Sequence, residues 1–400
     1  MQLSSDRNFL IFWLGQTLST VGDAFAMVAF PLLILQASGS LSGMGAMTAC
    51  FGVGSFCMGL FSGVIVDRVD RRRLMIGCDL LRALLFSLVP LCWWTLGPSE
   101  GLLYFVAMLG GALGNLFMVS SITAVASLVP KERLTLANGR LHATIAISFL
   151  TGPLLAGLLS ARTGPEFAIA VDAGSFLLSA LALSFITVKR REAVAVSKDR
   201  WQEMSAGFRF LWSQPVLRWL TILLAGVSLL AGVTQDLLIF EMKQTLLLKD
   251  DTVGLIIGLA SSGSLVGAIV ATKARRRFGF SWVWLTAFAV QGVAMLCMTA
   301  PRSIALYMSV GFAIAFSLTA RGVLSITLRQ EVTPPALLGR VTAAFWLILY
   351  SPGPIGAALL TRLAEHTGIT TVYVIMGGGI LSLWVIGLMS PVRSYQDKKL

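Results

Sequence analysis

The sequence predicts an all-α polytopic membrane protein: twelve transmembrane helices in two pseudo-symmetric six-helix halves. Three observations predict it. The 400-residue chain is 56% hydrophobic with a mean hydropathy of +0.82, far more apolar than the ~45–50% usual for a soluble domain. Apolar runs of about twenty or more residues recur along the whole length, each long enough to cross ~30 Å of hydrocarbon as a helix. Lastly, one charged stretch returns 204 residues later at the matching place in the topology.

Breaks at charged, Gly-Pro and Ser-Pro positions place the helices at 9–35, 41–66, 74–96, 102–128, 135–160, 167–188, 216–240, 252–272, 281–299, 303–328, 340–361 and 369–390. The halves are therefore 1–188 and 216–400, joined by the one long connection, 189–215. That linker holds KRRE, KDR and WQEMSAGFRFLWSQP, an amphipathic segment suited to a membrane surface.

With the N-terminus inside, all of the 31 Lys and Arg except Arg162, Lys243, Lys249, Arg302 and Arg362 fall at inner ends and loops. Basic residues retained on the inner side set orientation during insertion, so both termini are expected in the cytoplasm of a plasma-membrane protein. The same scatter argues against nucleic acid as the partner of the +12 charge. MQLSSDRN is too short and weakly basic to read as a cleavable signal. Cys50, Cys57, Cys78, Cys92 and Cys297 form no CxxC pair or ligand spacing, and read as small core residues. His142 and His366 stand alone, and no HExxH, Walker A or paired intramembrane Asp motif occurs. No enzyme, cofactor or metal site is expected, and nucleotide drive is excluded within this chain.

The repeat starts from GVIVDRVDRRRLM, where Asp67, Arg68, Asp70, Arg71, Arg72 and Arg73 crowd the turn between helices 2 and 3. Shifted by 204, Gly59, Gly63, Val66 and Arg71 to Arg73 fall on Gly263, Gly267, Val270 and Arg275 to Arg277. SITAVASLVPKERL (121–134) falls on SITLRQEVTPPALL (325–338), and GPLLAGLL (152–159) echoes GPIGAALL (353–360). Parallel six-helix repeats with substrate bound between them near the midplane are a transporter architecture. The second copy carries Ala271 and Thr272 where the first has Asp67 and Arg68.

Gly63, Asp67, Arg68, Arg71 and Arg72 spell G-x-x-x-D-R-x-x-R-R, and over its full length the chain resembles the major facilitator superfamily. GDAFAMVAFPLLIL, LVPKERLTLANG, FRFLWSQPVLRWL and VTPPALLGRV resemble its macrolide-efflux and enterobactin-exporter branch. The resemblance implies that Asp67 and Arg68 latch the cytoplasmic ends of the halves, with Gly267, Arg275 and Arg276 as the acid-free second copy. Arg71 to Arg73 serve equally as topogenic charges. Gly152-Pro153, with Ala156 and Gly157, resembles the end of the family's antiporter motif and favours export. Helix 4 carries no Arg where many drug–proton antiporters have one.

Ionisable groups inside spans are costly and usually functional. Asp23 lies near the middle of helix 1, on one face with Gln16, Ser19 and Thr20. An acid held away from water takes up a proton more readily than a solvated one, so Asp23 is the proton-coupling candidate and Asp236 the reserve. Asp172 is placed near the outer end of helix 6; Asp79 and Arg82 are expected to pair with each other or snorkel; Glu241 is expected to be solvated. Gln16, Asn115, Gln235, Arg321, Trp346 and Tyr350 are candidate cavity residues, with Phe12 and Met27 adding apolar surface. Few charges among soft apolar groups suit an amphipathic organic substrate. The expected function is proton-coupled efflux by a monomer in the bilayer; uptake symport, lipid transport and a non-transporting receptor or scaffold stay open as alternatives.

Overall fold

The computed structural model describes residues 7–130, 133–187, 200–334 and 337–395, and every regular element in them is helical. In chain order these are α1 (Arg7–Ser38), α2 (Leu41–Arg68), α3 (Arg71–Thr95), α4 (Glu100–Leu128), α5 (Leu134–Thr163), α6 (Pro165–Ser184), α7 (Arg200–Ser213), α8 (Pro215–Ala231), α9 (Thr234–Gln244), α10 (Asp250–Phe278), α11 (Phe280–Cys297), α12 (Ile304–Val332), α13 (Leu338–Tyr350), α14 (Pro352–Thr367) and α15 (Ile369–Met389). Among the described residues 12 segments are long and apolar enough to cross a membrane. Two of them, Pro215–Gln244 and Leu338–Thr367, each consist of two helices: α8 with α9, and α13 with α14. The amphipathic linker segment is α7, which packs on α13 and α8. Gly207 lets α7 approach the backbone of Arg340 there.

Helix ends follow from local chemistry. Ser40, Ser99 and Ser303 cap α2, α4 and α12 by accepting the amide hydrogens of Gly43, Leu102 and Leu306, which satisfies one orphan donor of each first turn. Asp70 does the same for α3, accepting from the Arg73 amide at 2.9 Å. Gly164 and Gly368, 204 residues apart, join α5 to α6 and α14 to α15 at φ 91° and 88°. That left-handed backbone favours glycine, and both turns can be so tight because no Cβ is present.

The described residues form two compact units. One holds 7–187 together with Leu247–Gly258; the other holds 200–246 and 259–395. In the first, α2 and α4 pack backbone to backbone, with Gly54 under the Met108 carbonyl and Gly111 under that of Phe51. Close approach through glycine is the usual device where helices gain little from burying apolar surface in lipid. The second unit repeats it: Gly263 and Gly267 of α10 meet the Phe312 and Phe316 carbonyls of α12.

Candidate functional site: an intramembrane carboxylate cluster

The first unit carries its charge where lipid would not tolerate it. Asp23 sits at the midpoint of the 32-residue α1. The Arg82 guanidinium reaches it from α3 and donates to its Oδ1 at 2.5 Å. Arg82 is buried, its side chain only 10% exposed, whereas the Asp23 side chain is 46% exposed. The pair thus has one open partner and one held inside the helix packing.

Two further carboxylates stand behind it. Asp79 and Asp172 are both fully buried. Asp172, on α6, lies against the backbone of Gly22, where any Cβ would collide with its Oδ1 and with Ser175 Oγ. Ser175 donates to that same Oδ1 at 3.2 Å, and Oδ2 has no hydrogen-bond partner. Asp79 lies one turn before Arg82 on α3. The Ser179 hydroxyl is close enough to act on it, yet no hydrogen bond of good geometry reaches either of its oxygens. Gln16 fixes Ser179 from α1, donating to Oγ at 3.2 Å.

Arg82 itself is held by ring faces. Its guanidinium carbon lies 3.9 Å from the Phe176 ring centroid and 6.0 Å from that of Phe86. In a desolvated site such contacts contribute up to about 2 kcal/mol. Phe86 stands edge-on to both Phe30 and Phe176 at 5.2 and 5.3 Å, so the cation rests on a packed aromatic wall. On the α4 side Gly114 leaves the space beside Nη2 free of a side chain. One cation therefore faces three carboxylates, from α1, α3 and α6.

The Gly152-Pro153 segment borders this site. Gly152 packs on Ala24, the neighbour of Asp23, and α5 stays one helix through Pro153. The Pro153 carbonyl and Gly157 then meet Gly254 of α10 in the same unit.

The loop motif anchors helices within its own unit. Arg71 donates from Nη1 to the Thr123 carbonyl at 3.4 Å and to Ser127 Oγ at 3.3 Å. Arg72 donates from Nε to the Leu183 carbonyl at 2.8 Å and from Nη2 to that of Ser184, tying off the last turn of α6. Gly63 and Arg68 are exposed, and the Asp67 side chain lies outside the described residues. In the second copy Arg275 pairs with Glu331 at 2.7 Å and Arg276 is exposed. Ser127 and Glu331 are again 204 residues apart, so one contact recurs in both halves with a different acceptor.

The other sequence candidates make contacts of their own. Asn115 is half-buried and donates to Ser55 Oγ at 3.5 Å. In the second unit, Arg321 is buried in α12, donating to Gln291 of α11 and, at 3.2 Å, to the Ser317 carbonyl. Asp236 is buried and Gln235 half-buried, both in the first turn of α9. Trp346 and Tyr350 stack at 5.0 Å on α13, Tyr350 exposed. Phe12 is buried in the helix packing and Met27 is half-buried.

Three sequence expectations change. Asp79 and Arg82 do not form a local pair at a helix end; Arg82 reaches across to α1. Asp172 belongs to the middle of the 20-residue α6, not to its end. Glu241, expected in solvent, is fully buried. Its Oε1 accepts from Arg302 at 2.7 Å and its Oε2 from the Tyr307 and Tyr373 hydroxyls at 3.1 and 2.9 Å. An ionisable residue inside or beside a span was the available signal for each. Spacing along one helix could not show which neighbours the other helices supply.

Known proteins similar to this chain in sequence and shape are transporters. The chain is 27% identical over 382 residues to the multidrug efflux pump Tap of Mycolicibacterium fortuitum, covering 92% of each. It is 25% identical over 397 residues to the enterobactin exporter EntS of Shigella flexneri, covering 97% of this chain and 92% of that one. The fold superposes on a point mutant of the nucleoside transporter NupG with a TM-score of 0.79 at 11% identity, over 95% of this chain and 99% of that one. The family model of the Major Facilitator Superfamily matches residues 12–357, and the chain belongs to that superfamily.

Proposed function

We propose that the protein exports a hydrophobic or amphipathic organic compound in exchange for protons, by alternating access, with Asp23 as the carboxylate that loads and releases the proton. The observation that carries this is the Asp23–Arg82 pair at the midpoint of α1: a half-exposed acid set against a cation held within the helix packing. An ionisable group at that depth is a functional expense unless it moves charge or substrate. The efflux activities named for the relatives support the direction of transport, as does the Gly152 contact beside Asp23. Arg71 and Arg72 are engaged as anchors within the first unit, which leaves Asp67 and Arg68 for the gate. The protein works as a monomer in the plasma membrane with both termini inside.

The test is transport by the purified protein in proteoliposomes, with ethidium, erythromycin and a catecholate siderophore as probes, with and without a pH gradient. Acceleration by the gradient is expected for wild type, and Asp23→Asn should lower gradient-driven flux to the rate without a gradient. An Asp23→Asn protein that still responds fully to the gradient would overturn the assignment.

A further inference from the structure

The second unit buries charge where the fold does not require it. α12 carries a polar residue at every fourth position, Ser317, Arg321, Ser325, Arg329 and Thr333, none more than 4% exposed. At the offset of 204 the first half has Leu113, Phe117, Ser121, Val125 and Val129. Phe117, Val125 and Val129 belong to the apolar core there. A buried cation without a counter-charge is strongly disfavoured in a low-dielectric interior, so two of them on one helix call for a reason.

The upper part of the stripe is internally bonded. Arg321 donates to Gln291 and the Ser317 carbonyl, and Ser325 accepts from Trp284 Nε1 at 2.9 Å. Arg329 is different. Its Nε and Nη1 are buried without a hydrogen-bond partner among the described residues, and so is Thr333 Oγ1 one turn on. Glu331, two residues along, is engaged by Arg275, and the ionisable group that bears on Arg329 is the Tyr350 hydroxyl. An arginine in the last turn of a helix ordinarily snorkels to water; at 3% exposed this one does not.

What Arg329 meets is aromatic. Its guanidinium carbon lies 3.7 Å from the Phe345 ring centroid and 5.5 Å from that of Trp346. Phe345 stands edge-on to Trp346 at 5.3 Å, and Trp346 stacks on Tyr350 with planes 9° apart. Phe345 is buried, Trp346 half-buried and Tyr350 57% exposed, at the point where α13 stops within its span. The row runs from an unbonded cation to an open pair of flat rings, all within one unit.

We infer that Arg329, Thr333, Trp346 and Tyr350 form a subsite for an amphipathic aromatic acid, which deepens the export reading by naming the charge of the compound carried. The acid group accepts from the Arg329 guanidinium and the Thr333 hydroxyl, and the ring lies against Trp346 and Tyr350. Such an anion supplies the acceptors and the counter-charge that α12 lacks, through charge-assisted hydrogen bonds, and its ring gains aromatic contact. A neutral or cationic compound of the same shape leaves Arg329 unbonded and is selected against. An acidic lipid shares the acid group but offers no ring to the stacked pair.

The experiment is calorimetric titration of the purified full-length protein in neutral detergent, with protein-free micelles as the blank. The probes are 2-naphthoate, 2-naphthamide, 2-naphthylmethylammonium and octanoate, the last an acid without a ring. Wild type should bind 2-naphthoate about 10-fold or more tightly than each of the others. Arg329→Gln should bind naphthoate and naphthamide alike, and Arg329→Lys, which keeps the charge, should regain part of the preference. Without ligand Arg329→Gln should unfold no lower than wild type, because the guanidinium Nε and Nη1 have no bond to lose. Trp346→Leu should narrow the gap between naphthoate and octanoate. Equal affinities for naphthoate and naphthamide in wild type, or a preference that survives Arg329→Gln, overturn the inference. So does an Arg329→Gln protein that unfolds well below wild type, which marks a structural guanidinium. Octanoate bound as tightly as naphthoate assigns the site to a lipid-like acid and overturns the aromatic one. None of these readouts uses a pH gradient, so the export reading stands or falls separately, in the flux assay on Asp23→Asn.

Discussion

Glu241 shows what a single buried carboxylate does when its partners are complete. Arg302 neutralises it and two tyrosine hydroxyls occupy Oε2, so α9, α12, α15 and the α11–α12 loop are tied at one point. Removing one member of a buried pair is strongly destabilising, about 3–5 kcal/mol, because the other charge stays behind. Glu241→Ala is therefore expected to lower the thermal unfolding temperature of the detergent-purified protein clearly. Glu241→Gln, which still accepts from the tyrosines, should lower it less. Equal unfolding temperatures for Ala, Gln and wild type would show that the node is not structural. This node and the Asp23 cluster differ in completeness: here one carboxylate has three donors, whereas there three carboxylates surround one cation. The sequence displays every one of these residues, and their depth singles out Asp23. The convergence of Asp79 and Asp172 on Arg82 depends on which faces of α3 and α6 turn towards α1, and hydropathy carries no information about that.

The helices themselves were nearly all legible, because a span of hydrocarbon thickness writes itself as an apolar run bounded by charge, Gly or Pro. What hydropathy hides is a span broken within its apolar run. Pro31, Pro90 and Pro153 sit inside unbroken helices, so proline alone does not end one. At Ser351-Pro352-Gly353-Pro354 two prolines in three residues remove two amide donors and crowd the preceding turn, and α13 stops. The α8–α9 break at Gly232 and Val233 lies against this one: Gly232 faces Gly353, and Gly356 lies on the Leu229 carbonyl. Freed backbone groups at this depth need protein neighbours in place of water, and each break is packed against the other. A Cβ at position 356 would fall on that carbonyl. Gly356→Ala is therefore expected to lower the unfolding temperature and yield of folded protein. Gly378→Ala in α15 meets open space and should be neutral or stabilising by ~0.5–1 kcal/mol. If the two variants unfold alike, close packing at the breaks is not what holds them.

Across the whole molecule the 204-residue offset relates more than sequence. It maps Arg71 on Ser127 to Arg275 on Glu331, and the left-handed Gly164 to Gly368. The shared geometry is the helix-tying contact; the acceptor differs, neutral in the first half and anionic in the second. Glu331 is 40% exposed in that pair, so its charge contributes no more than about 1 kcal/mol, which explains how a serine can hold the equivalent place. Halves that repeat in parallel put equivalent loops on the same side of the membrane, and from the Lys and Arg distribution we propose that this side is the cytoplasm. Val69 in the α2–α3 loop, Phe278 before the α10–α11 turn and Leu247 in the α9–α10 loop are 43%, 59% and 78% exposed, which makes them good labelling positions. In a background with all five native cysteines replaced, Cys at 247 should react with a membrane-impermeant maleimide in intact cells. Cys at 69 and at 278 should react only after permeabilisation. Labelling of 69 and 278 on opposite sides would break the parallel repeat, and labelling of both from outside would reverse the orientation. On the role proposed for Asp23, a reversed orientation would also invert the side from which it takes protons, so the topology experiment bears on the proposed direction of coupling as much as on the fold.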